Sequence, residues 1–163
     1  DCPPERLIGF SYPGGLLLDH GLVGGGRLAW PETTGEDEVP DWLVFGAMIR
    51  TGGFQELGFT LGPKATTLEE SGYRDIDPDA FAARFCRHLM VELDDWVETG
   101  FRELGQRYLA RLEREGSDAT FGIDRNGDLM MVPKGGGAAT RRGYIEALSA
   151  AEWFDTATGE PRA

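Results

Sequence analysis

The fold is decided by residues 7–51, which read LIGFSYPGGLLLDHGLVGGGRLAWPETTGEDEVPDWLVFGAMIRT. Apolar runs of strand length alternate here with turns rich in glycine, a residue that tolerates the positive φ of tight turns. Asp19-His20-Gly21 has the length of a hairpin turn between two such runs. The stretch predicts three or four strands. Because residues 42–49 are almost wholly apolar, we expect the last to be a central strand covered on both faces.

The part of the chain that follows predicts two helices. A long glycine-rich loop is expected at residues 52–64, and Asp77 before Pro78 is a typical start for a helix. Apolar residues then recur at spacings of three and four, so we expect this helix to pack against the sheet. They are Phe81, Phe85, Leu89, Leu93 and Trp96. Gly100 separates it from a second amphipathic helix, which is predicted to end at Gly116.

Beyond residue 116 the apolar period changes from helical to alternating. Asn126-Gly127 predicts a hairpin turn with positive φ at both residues, and a short helix is expected around residues 144–151, before a loose polar end.

We expect an α/β fold with a mixed sheet covered by helices on at least one face. The predicted domains are residues 1–116 and a small hairpin and helix unit at residues 117–163.

Composition excludes several classes of function. With 28 acidic and 16 basic residues the net charge is -12, which argues against a nucleic-acid partner. No apolar run approaches the roughly 20 residues of a membrane span. Two cysteines form no disulfide framework and two histidines are too few for most zinc sites, so we expect a reduced, cytoplasmic protein without a metal. The chain starts at Asp1 rather than Met, as expected for a piece of something longer.

Two features within the first 51 residues are candidates for binding. Glycines inside a strand, as at Gly24, Gly25 and Gly26, mark a bulge or the close approach of another backbone or a ligand. A ligand and a strand that crosses under a helix both remain open. Arg50, just past an apolar strand, is suited to bidentate contact with a carboxylate or phosphate, or to pairing with an acid of the neighbouring loops.

Other polar clusters favour structural interpretations. Asp124-x-Asn126-x-Asp128 resembles the start of a calcium loop, but Leu129 stands where that loop needs glycine, so a hairpin turn is favoured. A mobile loop is favoured over an anion site for the basic, glycine-rich residues 134–142, and Cys86 is expected to be a small buried hydrophobe. No set of nucleophile, base and orienting residue emerges, so the catalytic residues are unknown.

Several motifs resemble one family when they are taken in order. They are Ser11-Tyr12-Pro13-Gly14-Gly15, DHGLVGG at residues 19–25, VFGAMIR at residues 44–50, TTLEE at residues 66–70 and FGID at residues 121–124. Their order and spacing are similar to those of the biotin and lipoate protein ligases. That family joins biotin or lipoate to a lysine of an acceptor protein through an acyl adenylate made from ATP. The resemblance implies the second half of a ligase catalytic domain followed by a small C-terminal domain.

The chain departs from this family at polar positions. Gly14 and Gly15 stand where the family has Asn-Asp, and Arg50 replaces an asparagine. The family's lysine, which binds the acyl carboxylate and the α-phosphate, falls on Gly21 or in a one-residue deletion. A neutral glycine cannot stabilise the charge that develops during adenylation. The family's upstream half, with its nucleotide-binding loop, is absent from this chain, so a longer parent protein that supplies it is a further interpretation.

The resemblance implies a ligase-like protein that binds a small acid or adenylate-like ligand with its ligase chemistry impaired. The residues expected at the ligand are Gly14, Gly15, Gly24, Gly25 and Gly46 as backbone walls and Arg50 as the polar anchor. Biotin, lipoate and ATP are the ligands that the resemblance implies. An active form would be an ATP-dependent acyl ligase or transferase with an acceptor protein as partner.

The alternative is a non-catalytic protein-interaction module with a vestigial pocket. In that case the acidic loop at residues 31–41 and the helix from Pro78 carry the protein contacts. The oligomeric state does not follow from the sequence in either case.

Overall fold

The computed structural model describes residues 6–35, 38–52, 64–114, 118–151, 153–155, 157 and 160–161. Cys2, Gly116 and most of the loop predicted at residues 52–64 lie outside the described residues. The strands are β1 Ile8–Ser11, β2 Gly15–Leu18, β3 Gly21–Ala29, β4 Val44–Ile49, β5 Ala119–Ile123, β6 Leu129–Pro133, β7 Thr140–Arg142, β8 Phe154–Asp155 and β9 Glu160–Pro161. The helices are α1 Pro78–Thr99, α2 Phe101–Arg111 and α3 Tyr144–Ser149.

The first sheet is an antiparallel meander in the order β1-β2-β3-β4. Asp19 and His20 form the β2–β3 turn with φ of 48° and 68°, as a two-residue hairpin turn with positive φ requires. The predicted α/β class is confirmed. The strands of the described sheets pair antiparallel, and the parallel contacts are two isolated bridges, Phe10 to Leu112 and Leu22 to Ala65.

The prediction that β4 is a central strand is wrong. β4 lies at the edge of the sheet, where no other described strand pairs with its outer side, and residues 44–47 are exposed. An apolar run records the hydrophobicity of a strand but not the number of its neighbours, so an edge strand can carry the same pattern.

Helix α1 begins as the sequence predicts. One carboxylate oxygen of Asp77 accepts hydrogen bonds from the backbone N–H groups of Asp79 at 3.0 Å and Ala80 at 3.3 Å. Pro78 follows at the start of the helix, where its missing N–H group costs nothing. At the other end Gly100, with φ of 83°, donates to the Trp96 carbonyl at 2.8 Å and separates α1 from α2.

The apolar face of α1 is covered much less than the sequence predicts. The Phe85 ring stacks on Phe45 of β4 with 5.5 Å between ring centroids, but no residue of α1 is buried. Phe81 and Trp96 are each 42 % exposed. The spacing of the apolar residues identified one helix face correctly. It could not show that β4 is an edge strand, which offers the helix little surface. Cys86 is also exposed rather than buried.

Helix α2 connects α1 to the sheet. Arg107 of α2 contacts the carboxylates of Glu92 at 3.2 Å and Asp95 at 2.7 Å on α1. The Tyr108 ring stacks on Phe10 of β1 at a centroid distance of 5.3 Å. The helix ends at Arg111, earlier than predicted, because the next residue, Leu112, is extended and bridges to Phe10.

Residues 118–151 form a second sheet, β5-β6-β7, with α3 beside it. The predicted β5–β6 hairpin is present, but Gly127 alone of the Asn-Gly pair has positive φ, at 83°. The Asp124 carboxylate accepts from the N–H groups of Asn126 at 2.9 Å and Asp128 at 3.0 Å, so a side-chain turn takes the place of the expected two-residue turn. Among the described residues, no group of His, Cys, Asp and Glu side chains is arranged to hold a metal ion.

The two sheets share a hydrophobic core. Tyr12, Leu112, Leu129 and Ala147 are buried together. The Tyr12 hydroxyl donates to the backbone carbonyls of Gly127 at 2.8 Å and Arg142 at 3.2 Å. The predicted boundary between residues 116 and 117 is therefore crossed by buried contacts, and the division into two domains stays a prediction.

The remaining predictions for this region concern its charges and its end. Lys134 pairs with Asp118 at 2.9 Å, and Arg141 pairs with Asp128, so two of the three cations at residues 134–142 face carboxylates. The third, Arg142, lies over the Tyr12 ring. The expectation of a loose end is wrong for the described residues there, because β8 pairs with β9. None of the described helices combines the length and apolar character needed to cross a bilayer.

Asp128 is expected to stabilise the second sheet. It is 6 % exposed, accepts a hydrogen bond from the Tyr144 N–H at 2.7 Å and pairs with Arg141. Asp128→Ala leaves these donors without their acceptor, so we expect a loss of about 2–3 kcal/mol in the free energy of unfolding, measured by urea denaturation. Asp118→Ala, which breaks the exposed pair with Lys134, is the control and should cost at most about 1 kcal/mol. Equal losses would contradict the role given to Asp128.

Alkaline pH should weaken the shared core. Burial raises the pKa of Tyr12 to about 12 and also raises the pKa values of Tyr108 and Tyr144. An unfolded tyrosine titrates near pH 10. The stabilisation is thus complete below about pH 10 and is lost as the pH rises towards 12, because the unfolded chain releases its protons first. Urea unfolding between pH 8 and 11.5 should show this decline, with a shallower slope in Tyr12→Phe. Identical slopes would remove Tyr12 as a contributor.

Candidate functional site

Strand pairing brings four of the residues of β3 and β4 to one side of the first sheet. Gly25 pairs with Met48, and Arg27 pairs with Gly46. Because alternate residues of a strand point to the same side, these four lie on one face, here called the glycine face. Phe45 belongs to the opposite face, where it contacts α1.

The C-terminal end of the chain covers part of the glycine face. Trp153 is 4 % exposed, and a Cβ atom built on Gly25 would clash with its indole ring. The Arg27 guanidinium lies over the Phe154 ring, 4.8 Å from the centroid. The buried residues of this cluster are Leu17, Leu22, Ala151 and Trp153, with Met48 and Phe154 packed against them. Gly25 therefore permits close approach, as the sequence predicts, but the approaching group is an aromatic ring of the same chain.

Gly46 marks the open part of the same face. It is exposed, and a Cβ atom built on it would meet nothing within 4 Å. The glycine face thus has a covered portion at Gly25 and an open portion at Gly46, side by side on neighbouring strands.

The other predicted wall residues are in close contact with the chain itself. A Cβ atom on Gly14 would meet the Gly26 carbonyl oxygen, and one on Gly15 would meet the Ser11 hydroxyl. Gly24 has φ of 158°, and its missing side chain would point at the Met48 carbonyl. The backbone contacts are sufficient reason for glycine at residues 14 and 24, whereas a Cβ atom on Gly15 only requires the Ser11 hydroxyl to turn away. The role of all three glycines at a ligand stays a prediction.

Arg50 lies immediately after β4 and is 6 % exposed. Its guanidinium Nη1 donates to the Leu22 carbonyl at 3.1 Å. Its backbone is also held, because its N–H donates to Val23 at 2.8 Å and its carbonyl accepts from Leu68 at 2.9 Å. Burial lowers the pKa of Arg50 below its ordinary value, although arginine in proteins stays protonated at neutral pH. Arg50 is therefore a buried cation beside the sheet.

A surface cleft of about 420 Å³ opens next to Arg50. It is lined by Thr51, Gly52, Glu69, Tyr73, Arg74, Asp75 and Ile76. Two carboxylates and one guanidinium contribute to this lining, so the cleft is a poor match for an anionic ligand.

Gly21 is one of the two places that the resemblance gives to the family's lysine, the other being a one-residue deletion. A Cβ atom built there would lie 2.6 Å from Cγ2 and 2.9 Å from Cβ of Thr66. Thr66 is fixed at this point because its N–H donates to the Leu22 carbonyl at 3.0 Å. No side chain fits at Gly21 unless Thr66 moves.

The neighbouring turn residues contact side chains and backbone from other parts of the chain. His20 Nδ1 lies 2.7 Å from Oε1 of Glu113. Asp19 accepts the Leu7 N–H at 3.0 Å and pairs with Arg6, and these contacts hold the pKa of Asp19 below its ordinary value. The turn at Asp19 and His20 therefore carries no lysine.

This geometry can be compared with known proteins. The sequence profile of the biotin/lipoate A/B protein ligase family matches residues 1–110, about two thirds of the chain. The chain belongs to the biotin/lipoate A/B protein ligase family. The resemblance inferred from the order of the motifs is confirmed, since this range includes β1 to β4, α1 and most of α2. No curated protein gives a significant match.

Solved structures support the same fold for this ligase-family member. A biotin protein ligase-like protein of unknown function from Silicibacter sp. TM1040 is 18 % identical, with a TM-score of 0.65 over 90 % of this chain and 64 % of that one. The apo biotin protein ligase from Aquifex aeolicus is 15 % identical, with a TM-score of 0.61 over 84 % of this chain and 64 % of that one. The chain thus spans less than two thirds of either relative, and identities this low indicate the fold alone.

Sequence reasoning missed the aromatic cover of this ligase-like sheet. Trp153 and Phe154 lie more than 120 positions from the strand that they contact, and no periodic pattern connects such distant segments. The one available signal was Gly25, whose missing side chain indicated that something comes close. The glycine alone could not identify the group that approaches Gly25.

Replacement of Gly21 or Gly46 by alanine should affect the free energy of unfolding differently. Gly21→Ala forces Thr66 to move, so we expect a loss of about 1–3 kcal/mol in the free energy of unfolding. Gly46→Ala, at an exposed position with free space, is the control and should change stability by no more than about 0.5 kcal/mol. Urea denaturation measures both. A Gly21→Ala protein as stable as the wild type would show that the lysine position is open after all.

Proposed function

We propose that this ligase-family protein binds a small carboxylic acid, or an adenylate of one, at the glycine face of its first sheet, and that ordinary ATP-dependent ligation is impaired. The observation that carries the proposal is the contact between Gly21 and Thr66, which leaves no room for a side chain at the lysine position. The strands around Gly21 keep the fold of the family, but Gly21 carries no charged group.

The missing charge bears directly on the chemistry of adenylation. Negative charge develops where the acyl carboxylate attacks the α-phosphate, and a fixed cation at such a point contributes several kcal/mol to the rate. Gly21 supplies none. Loss of the cation affects this step more than it affects binding of the acid's apolar body, which depends on burial of surface.

Arg50 is the proposed anchor for the acid. As a buried guanidinium it suits bidentate contact with a carboxylate, and such contacts are stronger than those between neutral groups. The carbonyl of Leu22 accepts one of its N–H groups at 3.1 Å, so a bound carboxylate has to share or replace this contact. Gly14, Gly15, Gly24, Gly25 and Gly46 remain the proposed backbone walls.

The activity of a longer protein is a separate proposal. If another segment supplies the nucleotide-binding loop and a compensating cation, the chain would act within an ATP-dependent acyl ligase or transferase on an acceptor protein. Biotin, lipoate and ATP are the proposed ligands in that case, and the cytoplasm is the proposed location.

Titration of the full chain with biotin, lipoate, octanoate and ATP tests the proposal. We expect at least one acid to raise the unfolding temperature, because a ligand present at about 100 times its Kd stabilises the folded state by ~2.7 kcal/mol. Exchange of pyrophosphate into ATP with the same acid should stay at the level of a blank. Arg50→Ala should abolish the thermal shift, while Arg50→Lys, which keeps the charge but not the planar fork, should keep part of it. No shift with any acid would end the proposal, and an unchanged shift in Arg50→Ala would remove Arg50 from the site.

A non-catalytic interaction module is the second candidate. The partly exposed apolar side chains of α1, including Phe81 and Trp96, favour it, because soluble proteins seldom leave neighbouring large apolar groups uncovered. The same titration distinguishes the two candidates, since this module requires no response to any acid or nucleotide.

A further inference from the structure

The residues that cover the glycine face belong to the end of the chain. We propose that Ala151, Trp153 and Phe154, together called the C-terminal strap, are a displaceable cover that a ligand must move to reach the backbone at Gly25. The inference rests on the proposed function in one respect, which is that the displacing ligand is the small acid.

Steric exclusion is the first step of the argument. The indole ring of Trp153 fills the space that a side chain of residue 25 would take, and Trp153 is almost completely buried there. A ligand that packs on the Gly25 backbone needs the same space. The strap and the ligand therefore compete, and only one of them can cover this part of the face at a time.

The strap is attached to the sheet mainly by apolar contact. Within the described part of the chain, no backbone hydrogen bond joins it to β2, β3 or β4. The Phe154 N–H instead donates locally to Ala151 at 3.4 Å, and β8 pairs only with the two-residue β9. Such a segment can leave without breaking the ladders of the first sheet, which places it among the elements that open before global unfolding.

Arg27 holds the outer part of the strap. Its guanidinium lies 4.8 Å from the centroid of the Phe154 ring, within the range of a cation–π contact. Arg27 shares the glycine face with Gly46, where the open portion begins. A carboxylate that enters from the open portion meets Arg27 first, and its pairing with this cation weakens the hold on Phe154.

The space under the strap also limits the kind of ligand that can bind at the glycine face. The space vacated by Trp153 is flat and lined by Leu17, Leu22 and Met48, so it suits an acid with a ring or an aliphatic body rather than a small polar acid. The measured Kd equals the intrinsic Kd divided by the fraction of molecules whose strap is open, so a mostly closed strap weakens binding.

Hydrogen exchange of the folded, full-length chain tests whether the strap opens by itself. The amides of Trp153 and Phe154 should exchange faster than that of Leu17 in β2. Arg27→Gln, which removes the cation without touching the buried cluster, should speed strap exchange by about threefold and leave β2 unchanged. Strap amides that exchange only through global unfolding would overturn the proposal.

Binding measurements test whether the strap competes with a ligand. Trp153→Ala should bind lipoate or octanoate about tenfold more tightly than the wild type, because the competing group is gone. Leu148→Ala is the control, since it truncates a buried residue of α3, the helix that precedes the strap, and leaves Trp153 over Gly25 in place. Equal acid affinities in the wild type, Trp153→Ala and Leu148→Ala would overturn the strap and leave the proposed function intact.

A probe unrelated to acyl ligands separates the two proposals. If no acid binds any variant, the proposed function fails, and the strap is judged with the apolar dye anilinonaphthalene sulfonate. Greater dye binding by Trp153→Ala than by Leu148→Ala supports a covered apolar face at Gly25. Equal dye binding by the two variants overturns it.

Discussion

The rest of the structure depends on three consecutive glycines in β3, where no side chain separates the strand from its neighbours. The missing Cβ atoms of Gly24, Gly25 and Gly26 point at three different neighbours. These are the Met48 carbonyl of β4, the indole of Trp153 and the ring of Phe45. The Phe45 ring in turn stacks on α1. One glycine run thus lets the adjacent strand, the C-terminal strap and the first helix all come close to the same strand. A larger residue at any of the three positions requires one of these neighbours to shift.

This arrangement shows that the fold of the biotin/lipoate ligase family does not require a lysine at residue 21. The sheet is built from backbone pairing and close glycine contacts, which do not depend on a lysine at residue 21. Thr66 fills the space at that position and is held by its hydrogen bond to Leu22.

Local chemistry was the part of the fold that the sequence predicted well. The Asp77 cap, the break at Gly100 and the β2–β3 and β5–β6 hairpins each depend on a few neighbouring residues. The errors concern the number of neighbours that an element has. Among the described residues, β4 lies at the edge of its sheet, α1 has no buried residue, Cys86 is exposed, and residues 154 and 155 pair with residues 161 and 160. Burial depends on contacts between distant segments, and hydrophobic periodicity shows only which side of an element is apolar.

The candidate site divides in the same way. The sequence by itself determined the family, through the order of motifs from Ser11 to Arg50, and it predicts that the family's lysine is missing. It also indicated that Gly25 permits close approach. Only the tertiary structure decided that Trp153 makes that approach, that Arg50 is buried against the Leu22 carbonyl and that Gly46 stays open. The reason is physical: a glycine specifies where space is needed, and the folded chain determines which group fills it.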